Sequence, residues 1–370
     1  MKMFFLVFLI AYLGGNLYIF LRVMSLFAGA SCGVKMLFAL IFWLAAFSMM
    51  IALFARNAGL PDVVMSTLYR VGSVWMVFTL YMVLALVVFD VAKLFLPTIS
   101  HGVLYAAGVS ACLLIYGYWN YRHPEVEHFD IEVEKPMKGE LKIVAVSDIH
   151  LGDGTDKKAL RRYVDMINAE NPDVVLIGGD LVDNSLRPLI NHNMAEELSR
   201  LHAPQGVFMA AGNHEYISGI EAVERYLAAT PIRLLRDSVV TLPSGVQIVG
   251  RDDKTNRHRA ALPALLERCD MSQPVVVIDH QPYDLAKADA AGVDLQFSGH
   301  THHGQVWPVS LLTEKIFEQS HGYRKWSHAH IFVSSGLSLW GPPFRIGTKS
   351  DMAVFNLKSA QDANLQQSNQ

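Results

Sequence analysis

The sequence predicts an α/β domain built on a parallel sheet and preceded by four membrane-spanning α-helices. Two observations carry that prediction. The chain has 370 residues and a mean hydropathy of +0.26, and the apolar excess is confined to residues up to about Trp119. Beyond Tyr121 the composition is that of an ordinary globular domain, in which short β-branched runs alternate with helix-like segments. Such a shift in composition marks a domain boundary.

Spanning a bilayer takes about 20 mostly apolar residues. Residues 3–21, 36–54, 71–89 and 102–119 qualify. Lys2 ahead of the first run imitates a secretory signal. Its apolar stretch is long, no small-residue cleavage pattern follows and three more spans come after, so it reads as a retained helix. Lys2, Arg56, Arg70 and Arg122 fall on one side of the membrane, Arg22, Lys35 and Lys93 on the other. That tally, four to three, favours both termini in the cytoplasm of a multi-pass protein of the cell (inner) membrane. Asp90, near the end of the third span, reads as an interfacial residue rather than a proton relay. Tyr116, Tyr118, Trp119 and Tyr121 read as an interfacial aromatic belt.

The net charge of −3 gives no reason to expect nucleic acid as a partner. Cys32, Cys112 and Cys269 are far apart and form neither a disulfide framework nor a metal spacing. The division expected is a membrane domain over 1–121, a linker and edge strand over 122–140, a catalytic domain over 141–358 and a polar, disordered tail over 359–370.

In the second domain, residues 129–133 read as an early edge strand. Then one device repeats. Residues 141–146 end in Ser147-Asp148-Ile149-His150, and 174–177 end in Gly178-Gly179-Asp180. Residues 207–211 end in Gly212-Asn213-His214-Glu215, 275–278 in Asp279-His280, and 293–297 in Ser298-Gly299-His300-Thr301-His302. Wholly apolar runs of this length read as strands buried on both faces. Residues 157–169, 194–201 and 220–228 read as the helices between them. Alternation of this kind gives parallel sheets, whose ligands gather at the carboxyl ends of the strands.

That rim would hold Asp148, His150, Asp180, Asn213, His214, His280, His300 and His302. Each donates oxygen or imidazole nitrogen, and none is a thiol. Singly, an Asp at a strand end is most often a helix cap. Five such clusters at five strand ends are not explained that way. The set is too large for one four-coordinate ion and fits two, with one carboxylate shared.

In order, the five clusters resemble the signature of the calcineurin-like metallophosphoesterases: Asp-x-His, Gly-Asp, Gly-Asn-His-Asp/Glu, a lone His, then Gly-His-x-His. The match runs over residues 141–305 and more loosely to Leu357. Val333-Ser334-Ser335-Gly336 and Trp340-Gly341-Pro342-Pro343 look like the branch with N-terminal membrane helices, which most often has Gly where this chain has His303. The resemblance implies a four-layer αββα sandwich of two facing mixed sheets. Residues 239–242, 246–249, 331–334 and 352–356 are expected in the second sheet.

It also implies a ligand set. Asp148, His150, Asp180 and His302 would bind the first metal, and Asp180, Asn213, His280 and His300 the second, with Asp180 bridging. His214 would face the phosphate and help the leaving group depart. Two divalent ions, set against the Asp148 and Asp180 carboxylates, leave the site doubly positive. A hydroxide between them and a phosphodiester anion would neutralise it, and attack would be in line. Mixed nitrogen and oxygen ligands suit Mn, Fe or Zn.

Asp153 and Glu215 could hold the imidazoles from behind but read more simply as surface or capping residues. Arg251, Arg257, Arg259 and Arg324 could meet a second phosphate but read more simply as a solvated face. Trp307, Phe317, Tyr323, Trp326 and Trp340 build an outer core, wall a pocket or dip into the bilayer surface. The expected activity is hydrolysis of a phosphodiester or pyrophosphate bond. Four helices are more than attachment requires and suggest a lipid-linked or nucleotide-linked phosphate in the bilayer. Members of similar architecture include UDP-2,3-diacylglucosamine pyrophosphatases. The alternatives are a phosphodiesterase for soluble nucleotides and a membrane regulatory protein.

Overall fold

The computed structural model describes residues 2–55, 58–98 and 100–360, with side chains from Leu6 onward. Arg56, the Lys2 side chain and residues 361–370 of the expected tail lie outside the described residues. The chain divides into a unit of the residues up to Asn120 with Gly341–Ile346, and a unit of Tyr121–Trp340 with the residues from Gly347 on.

Helices α1 (Lys2–Met24), α2 (Cys32–Phe54), α3 (Asp62–Phe95) and α4 (Gly102–Tyr121) are each long and apolar enough to cross a membrane. Helix α3 has 34 residues and begins nine before the expected Val71. Its first two turns are polar enough to be missed by hydropathy, yet contain no helix breaker after Pro61. In lipid, helices associate through close approach and polar contacts. A Cβ on Gly72 of α3 would overlap the Met49 backbone of α2. Buried Asn16 of α1 accepts from Trp75 Nε1 at 2.8 Å and Thr79 Oγ1 at 3.3 Å. Asp90 accepts from Arg22 at 2.6 Å and Tyr18 at 2.5 Å.

The Gly341–Ile346 segment is bound into this unit by its backbone. Gly341 N–H donates to Tyr69 Oη at 3.1 Å, Arg345 N–H to Gly117 O at 3.0 Å, and Asn120 Nδ2 to Arg345 O at 3.0 Å. Tyr116, Tyr118 and Trp119 are exposed as a belt requires. Tyr121 is not part of that belt. It is buried in the second unit, with Oη 3.1 Å from Ser338 Oγ.

The second unit has strands β1 (Glu125–Val133), β2 (Leu141–Val146), β3 (Val174–Ile177), β4 (Val207–Ala210), β5 (Ile232–Leu235), β6 (Ser238–Thr241), β7 (Gln247–Gly250), β8 (Val275–Ile278), β9 (Leu295–Ser298), β10 (Gly322–Lys325), β11 (His330–Val333) and β12 (Asp351–Ser359). They form two six-stranded mixed sheets, ordered β1-β12-β2-β3-β4-β5 and β10-β11-β9-β8-β7-β6. Between and beyond them lie α5 (Lys157–Ala169), α6 (Arg187–Asn191), α7 (Ala195–Leu198), α8 (Asn213–Ser218), α9 (Ile220–Leu227), α10 (Leu262–Leu266), α11 (Leu285–Ala290) and α12 (Ser310–Ile316).

The period of two along β2 divides its side chains between two cores. Ile143 and Ala145 face the second sheet, packing with Ile248, Val276, Phe297 and Phe332. Val144 and Val146 face the helices, packing with Leu160, Val164 and Val223 of α5 and α9. On the far side, Val249, Val275 and Val277 pack on α10 and α11. Helices, sheet, sheet and helices make the four layers expected.

Two expectations need correction. The edge strand is nine residues long rather than five. Residues 352–356 lie in the first sheet, not the second: β12 runs parallel to β1 and antiparallel to β2. The reason is in its side chains. Met352 and Val354 join the helix-facing core, Ala353, Phe355 and Leu357 the inter-sheet core, so the strand must be interior. The rim is also divided, since β2, β3 and β4 belong to one sheet and β8 and β9 to the other.

Candidate metal centre

After β2, β3 and β9 the chain turns sharply. Asp148, His150, Asp180, His300 and His302 have φ of 55°, 49°, 51°, 71° and 49°. The left-handed region is costly for residues with a Cβ, about 1–3 kcal/mol each. Of the eleven described non-glycine residues of this unit with positive φ, these five are all candidate metal ligands, which points to function rather than stability at these turns. The turns also approach one another closely. A Cβ on Gly212 would overlap Asp180, and one on Gly299 would overlap Ser147 and Asp148.

The structure brings together the expected residues in two groups. Asp148, His150 and His302 each offer a ligand atom within 4.8 Å of the others, as do Asp180, His280 and His300. In the first, His150 Nε2 is 3.1 Å from His302 Nε2, and His302 Nε2 is 3.4 Å from Asp148 Oδ1. In the second, His280 Nε2 is 3.2 Å from both Asp180 Oδ2 and Asn213 Oδ1, and 3.3 Å from His300 Nδ1. Asp180 Oδ2 is also 3.8 Å from His150 Nε2, so this carboxylate lies between the groups. Ligands bonded to one ion at about 2.0–2.1 Å stand roughly 3.0–3.4 Å apart. Most of these spacings match, while His150 Nε2 stands 3.8 Å from both Asp148 Oδ1 and Asp180 Oδ2.

Hydrogen bonds aim the rings. His280 Nδ1 donates to Gly178 O at 2.8 Å, leaving Nε2 to face the centre. His214 Nδ1 donates to Asp183 O at 2.8 Å, and its backbone N–H to Asp180 Oδ1 at 2.8 Å. His214 stands edge-on to His150, 4.7 Å between centroids, and with His150 and Asp183 makes a further cluster of ligand atoms within 4.8 Å of one another.

Charges are shared strongly in this buried cluster. Burial pushes the Asp148 carboxyl up, but His302 and His150 outweigh it and hold the group below its usual range. Asp180 is held low in the same way by His280 and His150. Burial pulls the His150 imidazole down, yet Asp148 and Asp183 take it up to about 10. His214 is likewise raised, by Asp183 and Asp180 against its burial. His300 is lowered to about 4 by burial and by the neighbouring His280.

Several secondary readings change. Glu215 is a capping residue, accepting the Gly212 N–H at the start of α8, but not a surface one: it is fully buried, and its carboxylate also accepts the N–H groups of Asp180 and Val182. Asp153 is half-buried in the turn after Leu151. Arg251 and Arg259 are not a solvated face. Both pair with buried Asp279, at 2.6 and 3.2 Å. Arg257 is exposed, and Arg324 lies over the Trp326 ring at 5.2 Å. Phe317 is 6.2 Å from the His300 ring and Trp340 is 6.3 Å from that of His214, so these two wall the site. Trp326 packs in a small core with Leu285 and Ile331, and Tyr323 stacks on Phe129. His303 stacks on His321 at 3.4 Å and reaches Glu314 at 3.2 Å.

The sequence reading missed Asp183. Its Oδ1 is 3.2 Å from His214 Nδ1 and 3.6 Å from His150 Nδ1. The available signal was a second acid in the turn after β3, three residues beyond Asp180.

The calcineurin-like phosphoesterase family model matches residues 141–304. The chain is 32% identical over 275 residues to an uncharacterized metallophosphoesterase of Helicobacter pylori, covering 71% of this chain and 73% of that one. It is 33% identical over 258 residues to an uncharacterized metallophosphoesterase of Campylobacter jejuni, covering 68% of each. A transmembrane protein with metallophosphoesterase domain from Danio rerio is 32% identical over 272 residues, covering 68% of this chain and 62% of that one. On these matches, the chain belongs to the calcineurin-like metallophosphoesterase family.

Proposed function

We propose that the chain is a membrane-embedded phosphohydrolase with two divalent metal ions, cleaving a phosphodiester or pyrophosphate bond. The observation that carries this is the position of Asp180 between two groups of ligand atoms. Asp148, His150, Asp180 and His302 would hold one ion, and Asp180, Asn213, His280 and His300 the other. Two ions held by these residues would supply an activated water and positive charge for the phosphoryl oxygens. The all nitrogen and oxygen donor set suits Mn, Fe or Zn.

The chain's own groups do the rest. Asp183 and Asp180 raise the His214 imidazole against its burial, and the Asp183 carbonyl accepts a hydrogen bond from its Nδ1–H. Nε2 is then the end that carries a proton toward a departing oxygen. Phe317 and Trp340 restrict water around the site. The four spanning helices support a substrate held in the bilayer, a lipid-linked or nucleotide-linked phosphate. The charge tally on the loops supports a cytoplasmic catalytic unit.

Purified full-length protein with added Mn is expected to cleave an activated aryl phosphodiester. Asp180→Ala and His214→Ala are expected to lose that turnover. Full turnover in either variant would refute the assignment of that residue.

A further inference from the structure

The second unit concentrates its exposed apolar surface in one place. Trp307, Val309, Leu311, Leu312 and Ile316 are 49%, 40%, 47%, 42% and 56% exposed, all within ten residues. Among its described residues, the other large apolar side chains this exposed are Ile190 and Ile217, scattered singly. Val309, the N-cap of α12, and Leu312 and Ile316 on the helix follow the spacing that aligns side chains in one stripe. Lys315 is exposed beside the stripe, while Ser310 is buried on the other side. The helix ends at Phe317, whose ring neighbours His300. A contiguous apolar patch on a folded unit marks a contact surface.

Chain continuity says what meets it. Helix α4 ends at Tyr121 and β1 starts at Glu125, so a three-residue link ties this unit to a spanning helix. The segment Gly341–Ile346 is a second tie, because it belongs to the unit of the spanning helices. Gln305 stands where that segment departs and returns. Its Nε2 donates to Trp340 O at 2.7 Å, and its own carbonyl accepts the Thr348 hydroxyl. The next turn carries Trp307, whose Cβ stands 3.0 Å from where a Cβ on Gly347 would lie. The patch therefore begins at the residues from which the chain enters and leaves the membrane unit.

We infer that this face of α12 beds into the headgroup and upper acyl layer of the bilayer that the chain's own helices cross. Apolar side chains so placed are buried in lipid, and Lys315 extends its ammonium to a headgroup phosphate. Resting on the phosphohydrolase reading, the same placement names the substrate class. It is an amphiphile whose phosphodiester or pyrophosphate reaches His300 past Phe317 without leaving the headgroup layer.

The test uses the full-length chain in phospholipid vesicles, with Cys32, Cys112 and Cys269 replaced by Ser. An environment-sensitive fluorophore is attached at Leu312→Cys, and at Ile190→Cys as the control. At 312 the emission should shift to the blue and fall at least roughly twofold with spin-labelled lipid, as interfacial burial requires. At 190 neither should occur. Emission at 312 that lipid quenchers leave intact would overturn the contact, whether the site is solvated or covered by another protein copy.

A second arm tests the substrate class. Leu312→Glu with Ile316→Glu should leave turnover of a soluble aryl phosphodiester unchanged. Turnover of a vesicle-borne lipid phosphodiester should fall about tenfold, as charging an interfacial face predicts. Equal loss on both substrates would overturn the amphiphile assignment. If the wild-type chain turns over neither substrate, the phosphohydrolase reading fails, while the quenching result still decides the membrane contact.

Discussion

Glu215 Oε2 accepts the backbone N–H of Asp180 at 2.9 Å, with the glutamate fully buried. The same oxygen accepts Gly212 N–H at 2.8 Å, and Oε1 accepts Val182 N–H at 3.0 Å. One side chain thus ties the turn of Asp180 to the turn of Asn213 and His214. In Glu215→Gln, an amide NH2 would meet a backbone N–H. An unmet buried donor costs about 1–3 kcal/mol, and loss of such support weakens metal binding about 10–100-fold. A lower Tm and weaker Mn binding are expected, by thermal melting and titration calorimetry. Wild-type values for both would contradict this role.

The metal-free protein should lose stability as pH rises. Burial and the Asp180 charge push Glu215 from 4.5 to about 7, and His150 is raised from 6.5 to about 10 against its burial by Asp148 and Asp183. Both groups bind more protons folded than unfolded. For each, stability is highest below the unfolded pKa and falls as pH climbs to the folded one, across 4.5–7 for Glu215 and 6.5–10 for His150. A metal ion replaces the His150 proton, so its stabilising effect should grow with pH. The Tm gained on adding Mn to chelator-treated protein should be larger near about pH 9 than near about pH 6. A gain that shrinks over this interval would contradict the assignment.

Asp183 is expected to set the protonation of His214. Asp183→Asn removes a charge 3.2 Å from His214 Nδ1 while leaving the backbone carbonyl that holds the ring. The alkaline limb of the kcat profile should move to lower pH. His214→Ala should cost about a hundredfold or more in kcat, the usual contribution of a general acid. A purely structural Asp183 would reduce kcat without moving the limb.

Asp279 is expected to matter for folding more than for chemistry. It is the shared partner of Arg251 and Arg259, and Arg251 is itself buried. Asp279→Asn leaves a buried guanidinium without its counter-charge, at a cost of about 3–5 kcal/mol. A clearly lower Tm is expected in metal-free and metal-loaded protein alike. An unchanged melting curve would show that the pair contributes little.

What could be read in the sequence follows the physics of each signal. Runs such as Val174–Ile177 and Val275–Ile278 carry their strand character locally, and their boundaries are as expected. So is α5, whose N-cap Asp156 accepts Ala159 N–H at 2.9 Å. Residues 352–356 were legible as a strand but not in their sheet, because burial on both faces looks the same in either one. Asp148 through His302 could be grouped because each follows an apolar run. The cap that Glu215 makes on Gly212 is local, but its bond to Asp180 and the bond of Asp183 to His214 span 35 and 31 residues, which no local pattern encodes. The charges of Arg251 and Arg259 suggested solvent only because Asp279, 28 and 20 residues on, was not visible as their partner.

The most direct test of the dinuclear assignment is the metal content and electron paramagnetic resonance of the full-length chain loaded with Mn. The account predicts two ions per chain, coupled through a shared carboxylate, with coupling and the second equivalent both lost in Asp180→Ala. A wild-type chain that saturates with one ion or none, or an Asp180→Ala chain that keeps a coupled pair, would contradict it.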